Sequence, residues 1–392
     1  MRHDIICGDV LAGLQTLPDQ SVQCVVTSPP YWSLRDYGVP GQIGLEPTLE
    51  EHVEKLVEVF REVRRVLRDD GTLWLNYGDC YAASGRKDEN GCSNRSEFPE
   101  MPGRSPSGPL KPKDLVGMPW RIALALQAGG WYLRSDIIWS KPNPMPESVT
   151  DRPTKSHEYI FLLSKSPRYF YDADAVREEQ TGNAHSRGKG LTPKSAPEGS
   201  NIRAKESWHL STRDVEVPGG RNRRTVWEIA TQPMPEAHFA TFPEALVEPC
   251  IRAGTSERGA CPECGAPWRR MVESGGGTTG ASWHDHSDDL WRGQIAPPSA
   301  TFKDYYRRSV GWQPSCTCDI AETVPCVVLD PFGGSGTVAK VARDLGRSSI
   351  LIELNPEYVG IAKKRLRYEE QLDTGVNEIC VTSLPLTDGG VV

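Results

Sequence analysis

At 392 residues and a net charge of -7, the chain is long enough to bury a large core and has no overall basic character, so any surface for a polyanion must be local. Its 11 cysteines are an odd number, no N-terminal signal precedes Gly8-Asp9, and no apolar run approaches the ~20 residues of a membrane span. These features read as a soluble, cytoplasmic protein with reduced thiols and no membrane partner.

Ile5-Ile6-Cys7-Gly8-Asp9 reads as a short strand ending in Gly-Asp, and Leu11, Leu14 and Leu17 share one face of a short helical segment after it. Asp9 stands where it can cap that helix or meet a ligand at the strand end. Val22-Gln23-Cys24-Val25-Val26 has the β-branched, apolar pattern of a buried strand. It runs into Thr27-Ser28-Pro29-Pro30-Tyr31-Trp32. Two prolines fix φ twice and remove two amide donors, and Ser28, preceding a proline, is pushed toward an extended conformation. The result is a stiff turn that offers carbonyl oxygens, a hydroxyl and the flat Tyr31 ring. That set suits a planar ligand bearing an NH2 group: the ring stacks, and the oxygens accept from the amine. A Pro-Pro turn with a structural tyrosine is the plainer reading.

Thr48 to Leu67 is strongly amphipathic, with Leu49, Leu56, Phe60 and Val63 at helical spacing, and Asp69-Asp70-Gly71 is expected to stop it. A strand is predicted over Thr72–Asn76, which completes the strand–helix–strand pattern of parallel α/β proteins. Residues 82–114, rich in Gly, Ser, Pro and charge, read as a long loop, either a clamp or disorder. A helix is predicted over Leu115–Ala128, with Pro119 in its first turn. Strands follow over Tyr132–Trp139 and His157–Ser164, with Ser140-Lys141-Pro142-Asn143 between them.

From Glu178 to Arg224 aliphatic residues are few and cations gather, among them Arg203, Lys205, Arg221, Arg223 and Arg224. Arg and Lys contacts to phosphate are the usual source of DNA affinity; a solvated linker is the alternative. Regular structure resumes at Arg224–Ile229, and Phe239, Phe242 and Pro243 lead into a helix over Glu244–Ala253. Cys261-Pro262-Glu263-Cys264-Gly265 has knuckle spacing, and Cys316 and Cys318 supply a second pair. Four thiolates would complete a structural zinc site, although C-x-C is tighter than usual. His284 and His286 are reserve ligands, and free thiols are the alternative. Val327-Val328-Leu329 then runs into Asp330-Pro331-Phe332-Gly333-Gly334-Ser335-Gly336-Thr337, a glycine-rich turn opening a helix. The next strand, Ser348–Ile352, ends at Glu353, an acid about 20 residues past the glycines, as in sites that grip a ribose diol.

These two anchors resemble the catalytic and cofactor motifs of the DNA amino-methyltransferases. Their order, catalytic motif first, is that of the circularly permuted β group. The resemblance covers most of residues 1–260 and 324–368. It implies an α/β, Rossmann-like methyltransferase fold with a mostly parallel sheet and an inserted recognition segment; the zinc-knuckle insertion and the ends lie outside it. With the cysteine spacing it divides the chain into a catalytic half (1–177), a target-recognition segment (178–224), a cofactor-pocket segment (225–259), a zinc insertion (260–323), a cofactor-binding half (324–370) and a tail without clear pattern (371–392). S-adenosyl-L-methionine is the implied cofactor, with Asp9, Phe239, Phe242, Pro243, Asp330 through Thr337 and Glu353 around it.

Ser-Pro-Pro-Tyr is the family's form for cytosine N4, where adenine enzymes usually carry Asp first. The resemblance therefore implies methylation of a flipped cytosine in double-stranded DNA by Ser28, Pro29, Pro30 and Tyr31. Lys141, Arg203, Lys205, Arg221, Arg223 and Arg224 are the candidate DNA contacts. N6-adenine methylation with the same fold and cofactor stays open, as does a partner restriction endonuclease.

Overall fold

The structure, a computed structural model, describes residues 1–82, 110–178, 221–232, 242–277, 303–367 and 376–380. Arg203, Lys205, Phe239, His284, His286 and residues 83–109 of the long loop lie outside the described residues. In chain order the elements are β1 (His3–Cys7), α1 (Val10–Gln15), β2 (Val22–Thr27), α2 (Leu49–Val66), β3 (Leu67–Tyr77), α3 (Met118–Ala128), β4 (Tyr132–Ser140) and β5 (His157–Ser164). They continue with β6 (Val226–Glu228), α4 (Glu244–Gly254), β7 (Arg269–Gly277), β8 (Lys303–Gln313), β9 (Val327–Asp330), α5 (Thr337–Asp344), β10 (Ser348–Glu353), α6 (Pro356–Arg367) and β11 (Val376–Cys380).

Nine strands form one sheet in the order β11-β1-β10-β9-β2-β3-β5-β4-β6. Its described pairings are parallel except where β5 meets β3 and β4. This is the mostly parallel α/β fold expected. Successive strand residues point to opposite faces, and here both faces are covered. Ile6 and Ile352 join the core closed by α1, α2 and α3. Their neighbours Ile5 and Leu351 pack with Ala339, Val359, Ala362 and Leu366 of α5 and α6. Burial on both faces explains why these strands read as apolar runs rather than alternating patterns.

The chain divides into two compact units, Met1–Ala175 with Arg224–Arg269 and Pro314–Val392, and Val176–Arg223 with Arg270–Gln313. The first holds the large sheet and the helices on both faces. The second holds the bridge between Glu178 and Arg221 and nearly all of the β7–β8 sheet, where Arg308 pairs with Glu273 at 2.8 Å and Arg270 lies 4.4 Å over Trp312. The segment expected as one zinc insertion is thus shared between units, its cysteines in the first and its middle in the second.

Three boundaries differ from expectation. Helix α2 ends at Val66, because Leu67 is already extended (φ -71, ψ 138) and starts β3. Asp69-Asp70-Gly71 therefore lies inside a strand, where the β2–β3 register slips from Val22↔Leu67 to Cys24↔Thr72. Helix α3 starts at Met118 rather than Leu115, after Gly117 in the left-handed region (φ 73). Its first amide donates to the Asp79 carboxylate at 3.1 Å, a cap supplied from the end of another strand. The tail is not patternless: β11 pairs with β1 in parallel, Ile5 opposite Glu378, and extends the sheet edge. Five residues, Val-Asn-Glu-Ile-Cys, without alternation are too short to carry a strand signal of their own.

Helix α4 lies against the sheet so closely at its end that a Cβ on Gly254 would stand 2.6 Å from both Cys24 Sγ and Thr72 Oγ1. Gly254→Ala is expected to cost about 1–3 kcal/mol of stability through overpacking. Urea unfolding should show this loss, and adding Cys24→Ala should recover part of it. An unchanged midpoint would mean that α4 stands off the sheet.

Candidate active site

Strands β2 and β9 are parallel neighbours, with Cys24 opposite Val328 and Val25 opposite Leu329. The Pro-Pro turn and the glycine turn therefore leave the same edge of the sheet, side by side. Thr27 Oγ1 donates to Asp330 Oδ1 at 2.7 Å, joining residues 303 positions apart. The same carboxylate oxygen accepts from the Phe332 amide at 3.1 Å. Burial pushes the Asp330 carboxyl up to about 7; the Thr27 hydroxyl and Phe332 amide oppose that shift, and the Glu353 carboxylate adds to it.

The glycine turn is held from several sides. Gly333 donates to the Ile352 carbonyl at 2.8 Å, and Gly334 donates to Glu353 Oε2 at 2.7 Å. The other oxygen of Glu353 accepts from the Asn355 amide at 2.8 Å. Burial raises the Glu353 carboxyl, against the pull of the Asn355, Gly334 and Leu354 amides. Gly336 starts α5 with φ 79, and a Cβ there would meet the Ala362 Cβ at 2.8 Å, so only glycine lets α5 and α6 approach. Arg365 donates to Ser335 Oγ (3.1 Å), Thr337 Oγ1 (2.9 Å) and Glu244 Oε1 (2.9 Å), which ties the turn to α6 and α4. Pro331 is buried and Phe332 half-buried. Half-buried Phe242 precedes Pro243, the N-cap of α4. Asp9 caps α1, accepting from Leu11 and Ala12 amides at 3.0 Å.

On the Pro-Pro side, Ser28 and Tyr31 are half-buried and Pro29 is buried. The Tyr31 ring rests on Tyr77, centroids 4.5 Å apart. Its hydroxyl donates to Glu158 Oε2 at 2.9 Å and lies 3.2 Å from Asn76 Oδ1. Ser28 Oγ donates to the Tyr31 hydroxyl at 3.4 Å, a long contact. Beneath this layer the Tyr77 hydroxyl accepts from the Trp32 amide at 2.9 Å and meets His52 Nε2 at 2.8 Å, while His52 Nδ1 faces Glu46 at 2.7 Å. Trp32 itself is core. Asn76, Tyr77 and Glu158 were not among the expected site residues. The signal was faint: each lies at a strand end, and only pairing brings those ends together.

The four cysteines converge. The sulfurs of Cys261, Cys264, Cys316 and Cys318 all lie within 4.8 Å of one another. Sulfurs bonded at ~2.3 Å around one tetrahedral ion stand about 3.8 Å apart. The Cys264 amide, with Glu263's, pushes the Cys261 thiol down to about 7 against its desolvation. The knuckle turn is fastened to the sheet: Gln23 Nε2 donates to the Gly265 carbonyl at 3.1 Å, Gln23 Oε1 accepts from the Val327 amide at 2.7 Å, and Arg68 donates to the Cys264 carbonyl.

A family model described as DNA methylase, the N6/N4 type, matches residues 22–261 and 326–364, most of the chain and both turns. The chain belongs to the N6/N4 DNA methylase family. It is 41% identical over 93% of its length to the type II methyltransferase M.Cfr9I of Citrobacter freundii, covering 87% of that protein. It is 39% identical over 92% of its length to M.SmaI of Serratia marcescens, covering 90% of that protein. Among solved structures, the cytosine-N4-specific PvuII DNA methyltransferase aligns over 98% of this chain and 97% of its own, with a TM-score of 0.50 and 16% identity, which is a likeness of fold.

The stretch of this methylase that the family model leaves unmatched, 262–325, holds three of the four cysteines. Of the residues expected on DNA, Lys141 is ion-paired with Glu158 and lies 4.2 Å over the Trp139 ring. Arg221 pairs with Glu178 at 3.1 Å, Arg223 is half-buried and Arg224 is exposed.

An acid raised on folding resists ionisation in the folded state. Its contribution to the methylase's stability is whole below the unfolded value of 3.8 and is lost as pH climbs to about 7. Asp330→Asn keeps an oxygen for Thr27 and Phe332 but cannot ionise. Urea unfolding should show the variant gaining on wild type, by on the order of a few kcal/mol, across that interval. A difference that does not move with pH would mean that Asp330 ionises without penalty.

Proposed function

We propose that this DNA methylase transfers a methyl group from S-adenosylmethionine to the exocyclic N4 of a cytosine flipped out of double-stranded DNA, as the modification partner of a restriction system. The observation that carries the reading is the hydrogen bond between Thr27 and Asp330, which sets Ser28 and the glycine turn at one edge of one sheet. A methyl donor at the glycine turn and a base at the Pro-Pro turn would then be neighbours.

The glycine turn suits the donor. A carboxylate offers about four acceptor positions; backbone amides take part of the Glu353 carboxylate, and what remains would accept from a ribose diol. Thr337 opens a helix whose N-terminus favours a carboxylate. When bound, S-adenosylmethionine supplies an activated methyl group. The chain supplies orientation, which accounts for a large share of such a rate. Ser28 and the Pro29 carbonyl accept the two amine hydrogens, so that the nitrogen lone pair, otherwise delocalised into the ring, is directed at the methyl. Tyr31 offers its face to the extruded base. The serine in place of an acid favours cytosine over adenine.

Mass spectrometry of nucleosides from DNA of expressing cells should find N4-methylcytosine, and base-resolution mapping should place it in one short sequence. N6-methyladenine in its place would overturn the Ser28 argument and leave the family and fold intact. Ser28→Ala should lower kcat far more than DNA affinity, because its contact strengthens as the amine changes geometry.

The cysteine cluster is read as a structural zinc site, four thiolates around one ion at the sheet edge opposite the active site. The basic segment 178–224 is read as the target-recognition surface. Purified protein never exposed to chelator should contain about one zinc per chain. Cys264→Ser should lower the melting temperature with little effect on kcat. Metal-free protein of full stability would remove the site.

A further inference from the structure

Glu158 is the second residue of β5 and Lys141 follows the end of β4, yet both stand beside the Pro-Pro turn. The cause is direction. Strand β5 runs antiparallel to β3, with Tyr77 opposite Tyr159, and β4 antiparallel to β5, with Ser140 opposite His157. The start of one strand and the end of the other therefore reach the edge where β2 and β3 finish.

Three donors converge on the Glu158 carboxylate. Lys141 Nζ meets Oε1; Oε2 takes the Tyr31 hydroxyl at 2.9 Å and Asn76 Nδ2 at 3.2 Å. An ionised carboxylate can only accept. Of the two acceptors near the Tyr31 hydroxyl, Glu158 is nearer than Asn76 Oδ1 and charged, so it takes the single proton. Burial, with Glu158 close by, holds that phenol well above its usual range, so the proton stays. The Tyr31 oxygen can then only accept, and Ser28 Oγ is the hydroxyl that donates to it, at 3.4 Å.

We propose that Glu158, acting through Tyr31, fixes the polarity of the Ser28 hydroxyl so that Ser28 meets a substrate base as a hydrogen-bond acceptor. Glu158 is thus a positioning residue, and the inference rests on the reading of Ser28 as the amine's partner. A serine hydroxyl left to itself is both donor and acceptor. An NH2 group needs an acceptor, and a carbonyl in the same place needs a donor. With its proton turned toward Tyr31, Ser28 accepts the first and rejects the second. The long Ser28–Tyr31 contact makes this a bias of about tenfold rather than an absolute gate.

Glu158→Gln reverses the chain. Lys141 holds the amide oxygen, so the amide NH2 faces Tyr31 and Asn76; the Asn76 carboxamide turns over to accept from it, which takes Oδ1 away from Tyr31 and leaves Ser28 as the partner for the Tyr31 proton. Tyr31→Phe keeps the ring and removes the relay, which frees Ser28 instead of reversing it. Labelled methyl incorporated into DNA, whichever base receives it, should show kcat down about tenfold or more for E158Q, less for Y31F, and the Y31F value for the double variant. KM for DNA and the melting temperature should stay near wild type. A double variant well below Y31F would overturn the proposal, because Glu158 would then act by another route. If E158Q does not fold, Y31F decides alone. Its preference for a target duplex over the same duplex carrying the carbonyl analogue (uracil for cytosine, hypoxanthine for adenine) should fall severalfold, and an unchanged preference would overturn the proposal. Finding N6-methyladenine as product would sink the cytosine assignment without touching either measurement.

Discussion

The hydrogen bond from Thr27 to Asp330 is the constraint on which the rest of the molecule turns. It closes the seam between β2 and β9, strands that lie at opposite ends of the sequence and side by side in the sheet. On one side of that seam the order runs through β10, β1 and β11; on the other through β3, β5, β4 and β6. Ligands of open parallel sheets bind where the order reverses, beyond the carboxyl ends of the strands. Both turns stand there because the chain reaches the seam twice, once early and once late. Asp330 meets its geometric duty at an electrostatic cost, being buried with its ionisation opposed.

The turns themselves are stiff for different reasons. The Pro-Pro turn is limited by its own φ angles and underpinned by Tyr77, whose hydroxyl serves the Trp32 amide and His52 together. The glycine turn has no such internal stiffness. Its shape comes from outside, from Ile352, Glu353 and the reach of Arg365 across from α6. Buried polar groups satisfied in this way specify one arrangement, because each would be costly to leave unpaired.

At the other edge the cysteine knuckle is joined to the same strands. Gln23 bridges the Gly265 carbonyl and the Val327 amide, so one side chain of β2 contacts both the knuckle and the strand that carries the glycine turn. A metal held there would stabilise the β2–β9 pair at the end remote from chemistry. Such a site contributes folding energy without needing to touch a substrate.

Much of this was legible in the residues. The β-branched runs, the helical period of α2, the Pro-Pro and glycine turns and the acid at Glu353 are local signals, because strand burial, helix amphipathicity and turn stereochemistry act over a few residues. The two cysteine pairs were legible too, as spacing. What local pattern does not carry is direction and pairing. That β5 runs against both β3 and β4 is what brings Glu158 beside Lys141 and Tyr31, and no residue within the strand encodes it. Asp79 capping α3 and Val376–Cys380 extending the sheet are of the same kind. Lys141 was expected on DNA from the motif it stands in; its pairing with Glu158 was decided by the sheet. Sequence alone determined which groups are present and how stiff the Pro-Pro turn is. The tertiary structure decided which groups meet, because hydrogen bonds and ion pairs depend on distances that only the folded sheet sets.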